Sequence, residues 1–226
     1  RRNTHRSWLD HDREPRQTRQ IAVALVEFVR VVRTRHMTRS FAHTAVPRST
    51  ISELLDLAVR APSAGKTQGW SVLVLENEDV KTFWDLSLPE EKRKNFSWPH
   101  LLDAPVIMLP FANAQAYADR YAEPDKAHTG LGASIDAWPT PYWTIDASFA
   151  VMTLLLGAHD MGLGSLFFAV FNGEEKIRSH FGVPDTQQLI GAIALGWPRD
   201  EQEREGRSAS RKRRGVDELA HFGRWH

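Results

Sequence analysis

Residues 50–75, TISELLDLAVRAPSAGKTQGWSVLVL, decide the fold class of this chain. Residues 50–53 (TISE) have the spacing of a capping box, so we expect a helix to begin there with its apolar side facing inward. Pro62 ends that helix, and residues 63–65 form a turn before residues 70–75, whose apolar, β-prone side chains suit a buried strand. A helix that leads through a turn into a buried strand predicts a sheet covered by helices.

Helices and strands continue to alternate on both sides of this unit. We expect strands at residues 104–111, 165–170 and 189–195, and helices at residues 21–32, 79–86 and 174–181. Asp146 is expected to cap a long apolar helix that ends near Gly162. The pattern indicates an α/β or α+β domain with one sheet.

One long segment, residues 112–142, has no clear period and contains three prolines. A connection of this length in a compact domain is typical of a functional lid or a disordered loop. We therefore divide the chain into a flexible polar arm, residues 1–20, and a single domain, residues 21–226. Within the domain, residues 112–142 are the expected lid and residues 199–226 a C-terminal extension.

The composition argues against several classes of protein. The 226 residues include 29 basic and 28 acidic side chains, a balance that does not suit a nucleic-acid-binding protein with a broadly basic surface. The absence of cysteine excludes a disulfide scaffold, a thiolate zinc site and a cysteine nucleophile. The histidines lack the paired spacing of a zinc site, and neither a glycine-rich phosphate loop nor a nucleophile elbow occurs, so we expect no metal and no hydrolase.

The apolar stretches are too short to cross a membrane. The longest, residues 147–158, falls well below the roughly 20 apolar residues that a bilayer requires. The polar arm does not resemble a secretory leader, so we expect a cytoplasmic protein with no membrane partner. The six arginines of the arm leave open a contact with an acidic partner.

Two basic clusters are candidates for a phosphate site. Arg35 and Arg39 lie four residues apart, and residues 211–214 (RKRR) form a second cluster far along the chain. Guanidinium groups match phosphate oxygens in pairs, so the two clusters would bind a phosphate if the fold brought them together. The alternative is that both are solvated surface charges.

Five motifs in order resemble the FMN-dependent nitroreductase family. Residues 35–41 (RHMTRSF) resemble the family's opening R-x-S-x-R-x-F, and residues 61–70 (APSAGKTQGW) resemble its A-P-S-A-G-N-x-Q-P-W loop. The remaining landmarks are residues 162–165 (GLGS), 190–198 (IGAIALGWP) and 213–225. The resemblance implies an intertwined α+β homodimer in which a mostly antiparallel central sheet is flanked by helices and FMN binds at the subunit interface.

The resemblance also implies the cofactor contacts. The ribityl-phosphate end of FMN would contact Arg35, His36 and Met37, and Arg39 would lie at the pyrimidine edge, where a fixed cation favours reduction. The partner subunit would supply Pro62, Ser63, Ala64, Lys66 and Gln68. The remaining implied contacts are Ser165, Ala169 and Val170 at the reactive edge of the ring, Arg211 and Arg213 at the phosphate, and Ser97 by a weaker alignment.

The sequence departs from the family pattern at three positions. Met37 stands where the family commonly has a phosphate-binding serine, Lys66 replaces an asparagine, and Gly69 replaces a proline. The register of Arg211 and Arg213 against the neighbouring basic residues can shift by one. These departures affect individual contacts and leave the expectation of FMN in place.

The family implies a reaction in which the flavin does the chemistry and no side chain is a catalytic residue. A hydride from NADH or NADPH would pass by a ping-pong mechanism to a nitroaromatic, quinone or similar planar acceptor. Trp138, Tyr142 and Trp143 could stack on that acceptor, or they could belong to core and lid packing. Reductive dehalogenation, flavin cleavage, or a flavin-binding protein that senses without turnover remain alternatives.

Overall fold

The structure is a computed structural model that describes residues 27–199, 206, 208 and 210–225. The predicted arm, residues 21–26 of the predicted first helix, and part of the predicted C-terminal extension lie outside the described residues. The helices are α1 (27–34), α2 (Arg48–Val59), α3 (Glu78–Ser87), α4 (Glu90–Arg93), α5 (Ala114–Ala122), α6 (Tyr142–Asp160) and α7 (Glu174–His180). The strands are β1 (Trp70–Glu76), β2 (Val106–Ala112), β3 (Gly164–Phe168), β4 (Gln188–Leu189) and β5 (Ala192–Gly196).

All five strands form one antiparallel sheet with the order β1-β2-β5-β3, and β4 pairs with the end of β2. Every residue of β2 is buried, because β2 lies inside the sheet and both of its faces are covered. Ile107 and Leu109 face one core, and Met108 between them faces the other, as the alternation of a strand requires. The predicted antiparallel sheet is confirmed.

Helices cover both faces of the sheet. On one face, Phe83 of α3 and Ile177 of α7 are fully buried against the strands. On the other face, Leu54 of α2 packs with Leu154 of α6 in the second core. The molecule is therefore an α+β domain with helices on both sides of one sheet, which confirms the predicted fold class.

The predicted capping box at residues 50–53 is wrong. Helix α2 begins two residues earlier, at Arg48, and Pro47 precedes it without a side-chain cap. Arg48 forms an ion pair with Glu76 at the end of β1, with 2.8 Å between Nη2 and Oε2, and this contact ties the first turn of the helix to the sheet. The TISE residues lie inside the helix.

The predicted cap of the long apolar helix is also wrong. Helix α6 begins at Tyr142 after Pro141, which leaves Asp146 within the helix and only 3% exposed. The carboxylate accepts hydrogen bonds from groups outside its own helix, so it has a different role from a helix cap.

Two further segments differ from the sequence predictions. Residues 112–142 include helix α5, where Asn113 Oδ1 accepts a hydrogen bond from the Ala116 amide, so the segment is not devoid of secondary structure. The strand expected at residues 189–195 is divided into β4 and β5. Gly191 lies at the division, where a Cβ would come within 2.7 Å of the Phe167 ring.

Candidate functional site

The segment after α1, residues 35–41, runs alongside β3. The Thr38 amide donates to the Ser165 carbonyl at 2.9 Å, and Phe41 forms an isolated bridge with Pro198. Thr38 and Ser165 are both buried. Gly164 allows this close approach, because a Cβ at that position would lie 2.7 Å from Thr38 Cγ2. The structure thus brings the first predicted motif next to the predicted Ser165 position.

Arg35 lies in a corner at the end of α1, close to His36 and His159. Its Nη1 atom is buried, and no hydrogen-bond partner for it occurs among the described residues. The exposed His36 ring meets His159 edge-to-face at 6.0 Å, and Thr34 Oγ1 lies 2.7 Å from His159 Nε2. Burial lowers the pKa of His159, the nearby His36 and Arg35 lower it further, and Asp160 acts in the opposite direction. A bound anion would be favoured in this corner.

Arg39 and Trp98 form a second part of the same region. Arg39 Nη1 donates to the Met37 carbonyl at 3.1 Å, and the guanidinium carbon lies 5.5 Å from the centre of the Trp98 ring. Trp98 Nε1 is buried without an acceptor in the described part of the chain. The Met37 side chain packs against both cores, so its contribution to a phosphate site would come from its backbone amide. Ser97 is half-buried beside Trp98.

These two donors test whether the residues fit FMN. Arg35 Nη1 is a charge-assisted donor suited to a phosphate, and Trp98 Nε1 is a neutral donor suited to a carbonyl oxygen. A buried donor without an acceptor is costly, and such a group in a native structure calls for a missing partner. The residues therefore fit the cofactor that the motifs imply. Sequence reasoning missed Trp98, although it directly follows the predicted Ser97.

Residues 63–68 form a strained loop between α2 and β1. Gly65, Lys66 and Gln68 all have left-handed backbone conformations, with φ of 59°, 58° and 49°. The loop is also closed on itself, because the Gln68 amide donates to Ser63 Oγ at 2.8 Å. Left-handed lysine and glutamine are uncommon and persist only where the surroundings hold them. Pro62, before the loop, is exposed.

Three residues outside the motifs hold the strained loop. Asp146 Oδ2 accepts from the Ala64 amide at 2.8 Å and from the Tyr117 hydroxyl at 2.7 Å. Arg120 Nε donates to the Gly65 carbonyl at 3.0 Å. Burial raises the pKa of Tyr117, and its hydrogen bond to Asp146 raises it further. The only signal for these residues in the sequence is an aspartate within an otherwise apolar helix.

The two groups of predicted cofactor residues lie at opposite ends of α6. Asp146 binds the strained loop near the beginning of the helix, and His159 contacts Thr34 and His36 near its end. Thirteen residues separate the two positions, which corresponds to about 20 Å along the helix axis. One chain therefore does not bring both motifs to a single point.

The aromatic residues predicted to stack on the acceptor form one cluster with Tyr117. Trp138 is 8% exposed, and its Nε1 donates to the Leu131 carbonyl at 3.0 Å. Its ring packs 5.7 Å from Tyr142 and 6.5 Å from the half-buried Trp143. Tyr142 is 41% exposed, so it is the member of the predicted substrate set most available to a ligand.

The remaining predicted positions lie at chain ends and strand ends. Ala169 is exposed just after β3, and Val170 packs against the first core. Arg211 and Arg213 are exposed in the C-terminal segment. Within the described residues, no group of three histidine, aspartate or glutamate side chains could hold a metal ion, and no helix combines the length and apolar character needed to cross a membrane.

Comparison with known proteins agrees with the geometry. The profile of the nitroreductase family matches residues 32–197. The chain belongs to the nitroreductase family. The match contains the 35–41 and 61–70 motifs and the whole sheet, so the recognised segments are those that the fold places around α6 and β3.

Several curated proteins are similar to this member of the nitroreductase family over most of its length. A Thermus thermophilus NADH dehydrogenase is 27% identical and covers 74% of this chain and 84% of its own. A 4-nitrobenzoate reductase from a Nocardioides strain is 26% identical, with coverages of 77% and 81%. Mouse iodotyrosine deiodinase 1 is 23% identical, with coverages of 93% and 74%.

Solved structures share the nitroreductase fold. A nitroreductase-like protein from Streptococcus mutans superposes with a TM-score of 0.70 at 17% identity, covering 88% of this chain and 98% of its own. An FMN-dependent nitroreductase from Clostridium difficile superposes with a TM-score of 0.60 at 20% identity, with coverages of 86% and 98%. At these identities the similarity shows the fold.

Proposed function

We propose that this chain is an FMN-dependent oxidoreductase that takes a hydride from NADH or NADPH and reduces a nitroaromatic, quinone or similar planar acceptor. The observation that carries the proposal is a pair of buried donors near the first family motif, Arg35 Nη1 and Trp98 Nε1, for which the described residues supply no acceptor. The names of the similar proteins, which include a nitrobenzoate reductase and an FMN-dependent nitroreductase, support the same reaction class.

The residues of the 35–41 segment would hold the cofactor. Arg35 would bind the phosphate, with His36 and the Met37 amide beside it, and Arg39 would place a fixed positive charge at the pyrimidine edge. FMN, when bound, supplies the two-electron chemistry. Because Arg39 is held by the Met37 carbonyl and by the Trp98 ring, its charge is already oriented before reduction, which is the condition for effective electrostatic stabilisation.

The other half of the site would come from a second copy of the chain. The strained loop lies about 20 Å from the Arg35 corner along α6, so its proposed contacts, Pro62 to Gln68, would serve the partner's cofactor. Helix α6 is apolar on all sides, but Phe149 and Met152 are 45% and 42% exposed in the single chain. Such a face requires cover, which a homodimer would supply.

The acceptor would bind next to the lid. Tyr142 and Trp143 are the proposed stacking residues, because both rings pack near Trp138, which itself contacts Tyr117, and neither is fully buried. Trp138 would support them, since its ring packs against Tyr142. Donor and acceptor would use the same space in turn, as a ping-pong mechanism requires.

The direct test is to identify the flavin and measure its turnover. We expect the purified chain to bind one FMN per subunit, to be reduced in stopped flow by NADH or NADPH, and to pass electrons to an acceptor from a screen of nitroaromatics and quinones. Failure to bind FMN after reconstitution would refute the proposal. Binding of FMN without turnover would favour a sensing protein.

Reductive dehalogenation is the second candidate. The observation that favours it is the mouse iodotyrosine deiodinase, whose similarity extends over 93% of this chain, against 77% for the nitrobenzoate reductase. Halide release from a halogenated phenol by the chemically reduced protein would separate the two reactions. Release under single-turnover conditions would support dehalogenation, and reduction of only nitroaromatics would exclude it.

A further inference from the structure

The strained loop is held by residues that belong to none of the family motifs. Asp146 receives two hydrogen bonds through one carboxylate oxygen, from the Ala64 amide and from the Tyr117 hydroxyl. Arg120 binds the Gly65 carbonyl through Nε and grips Asp125 with both of its terminal nitrogens, at 2.7 and 2.9 Å. That ion pair lowers the pKa of Asp125. All three guanidinium nitrogens of Arg120 therefore have partners that fix their orientation.

These contacts are not what core packing alone requires. Asp146 is buried in a helix whose neighbouring inward positions are apolar, and an apolar residue there would avoid the desolvation of a carboxylate. In the described part of the chain no lysine, arginine or histidine forms an ion pair with Asp146. The carboxylate thus accepts hydrogen bonds from two neutral donors, one of which is a backbone amide of the strained loop.

The packing of Gly69 against Tyr117 agrees with these hydrogen bonds. A Cβ at Gly69 would lie 2.6 Å from Tyr117 Cε2, so the Tyr117 ring fills the place that a side chain at position 69 would need. Position 69 is one of the three departures from the family pattern noted in the sequence. The departure and the Tyr117 contact are therefore two parts of one local structure.

We propose that Tyr117, Asp146 and Arg120 are positioning residues that hold the strained loop in the conformation that completes the cofactor site of the partner subunit. The inference rests on the proposed function, because it assigns the loop to an FMN site. The loop needs external support, since left-handed Lys66 and Gln68 would relax to ordinary conformations without it.

Three single variants of the full chain test the proposal by FMN titration of the apoprotein. Tyr117→Phe removes the hydroxyl that binds Asp146 and keeps the ring. Arg120→Lys removes the fork that joins Gly65 to Asp125. Tyr121→Phe is the matched control, because Tyr121 lies one turn from Tyr117 on α5 and its hydroxyl has no hydrogen-bond partner in the described residues.

We expect the dissociation constant of FMN to rise about tenfold for Tyr117→Phe and about threefold for Arg120→Lys, and to stay unchanged for Tyr121→Phe. At saturating FMN, the visible absorption spectrum of the bound flavin should also shift in Tyr117→Phe. A residue that only stabilises the fold would lower the melting temperature and leave that spectrum unchanged.

The outcomes are distinguishable from failure of the proposed function. A wild-type chain that binds no FMN would refute the function and this inference together. A wild-type chain that binds FMN, with variants of equal affinity and identical spectra, would overturn only the inference. If Tyr117→Phe does not fold, Arg120→Lys decides, because Arg120 is only partly buried on α5 and wild-type affinity in that variant would overturn the inference.

Discussion

Replacement of Arg35 by methionine should weaken FMN binding without lowering the free energy of unfolding of the apoprotein. The guanidinium carries a buried Nη1 that has no acceptor among the described residues, so the apoprotein bears a desolvation cost that the methionine variant would not bear. We expect its free energy of unfolding to stay equal to that of the wild type or to rise by about 1 kcal/mol. Loss of a charge-assisted phosphate contact should cost about 1.5–3 kcal/mol of binding, which is roughly a ten- to hundredfold weaker affinity.

The assay combines urea unfolding of the apoprotein with titration of FMN by fluorescence. Arg33→Met is the matched control, because Arg33 is exposed in the last turn of α1, two residues before Arg35, and should change neither quantity. The test is strict because the substitution should lower FMN affinity and, in the same protein, leave the free energy of unfolding unchanged or higher. Wild-type FMN affinity in Arg35→Met, or an apoprotein destabilised by more than about 1 kcal/mol, would refute the assignment of Arg35 as an anion-binding residue preorganised for phosphate.

Four further outcomes are expected. The Arg39→Ala variant should still bind FMN, but the midpoint potential of the flavin, measured by dye equilibration, should fall because the negative charge on the reduced ring loses its cation. An unchanged potential would show that Arg39 does not lie at the pyrimidine edge. Arg211→Ala and Arg213→Ala should each weaken FMN binding about ten- to hundredfold, more so together, and wild-type titrations for both would make them plain surface charges. The pKa of His159 is lower in the folded chain than its ordinary 6.5, so the unfolded chain takes up the proton first and stability should decline as the pH falls below 6.5. His159→Gln should reduce that decline in urea unfolding at pH 7.5 and 5, and an equal decline would exclude His159 as its source. The proposed dimer interface includes the exposed face of α6 and should bury far more than the roughly 1,600 Å² of a standard interface. Phe149→Glu on that face should therefore give a monomer in light scattering, and a flavin-loaded dimer in this variant would contradict that interface.

The sequence alone was sufficient to predict those features of the fold that depend on local pattern. The apolar runs that became β1, β2 and β3 were predicted within two residues, because a buried strand needs only short-range apolar character. The motif around Arg35 was found through its resemblance to the opening motif of the family, and the structure places it beside Ser165.

The contacts that hold the strained loop could not be predicted, because their partners are far apart along the chain. Asp146 lies 82 residues from Ala64 and 29 residues from Tyr117. An aspartate near the start of an apolar helix favours a cap by local rules, and only the fold shows that other donors reach it. The same holds for Trp98, because no local pattern reports that its buried Nε1 lacks an acceptor among the residues that the structure describes.

The crossing of Thr38 over Gly164 determines which substitutions this chain can tolerate. A side chain at position 164 would meet Thr38 at 2.7 Å and would push away the segment that carries Arg35 and Arg39. In a library of random variants, this glycine would score like a ligand-binding position although it has no group with which to bind anything. Intolerance to mutation at position 164 therefore marks the close approach of two chain segments, and efforts to reshape the acceptor pocket are better directed at exposed Tyr142, where side chains have room to change.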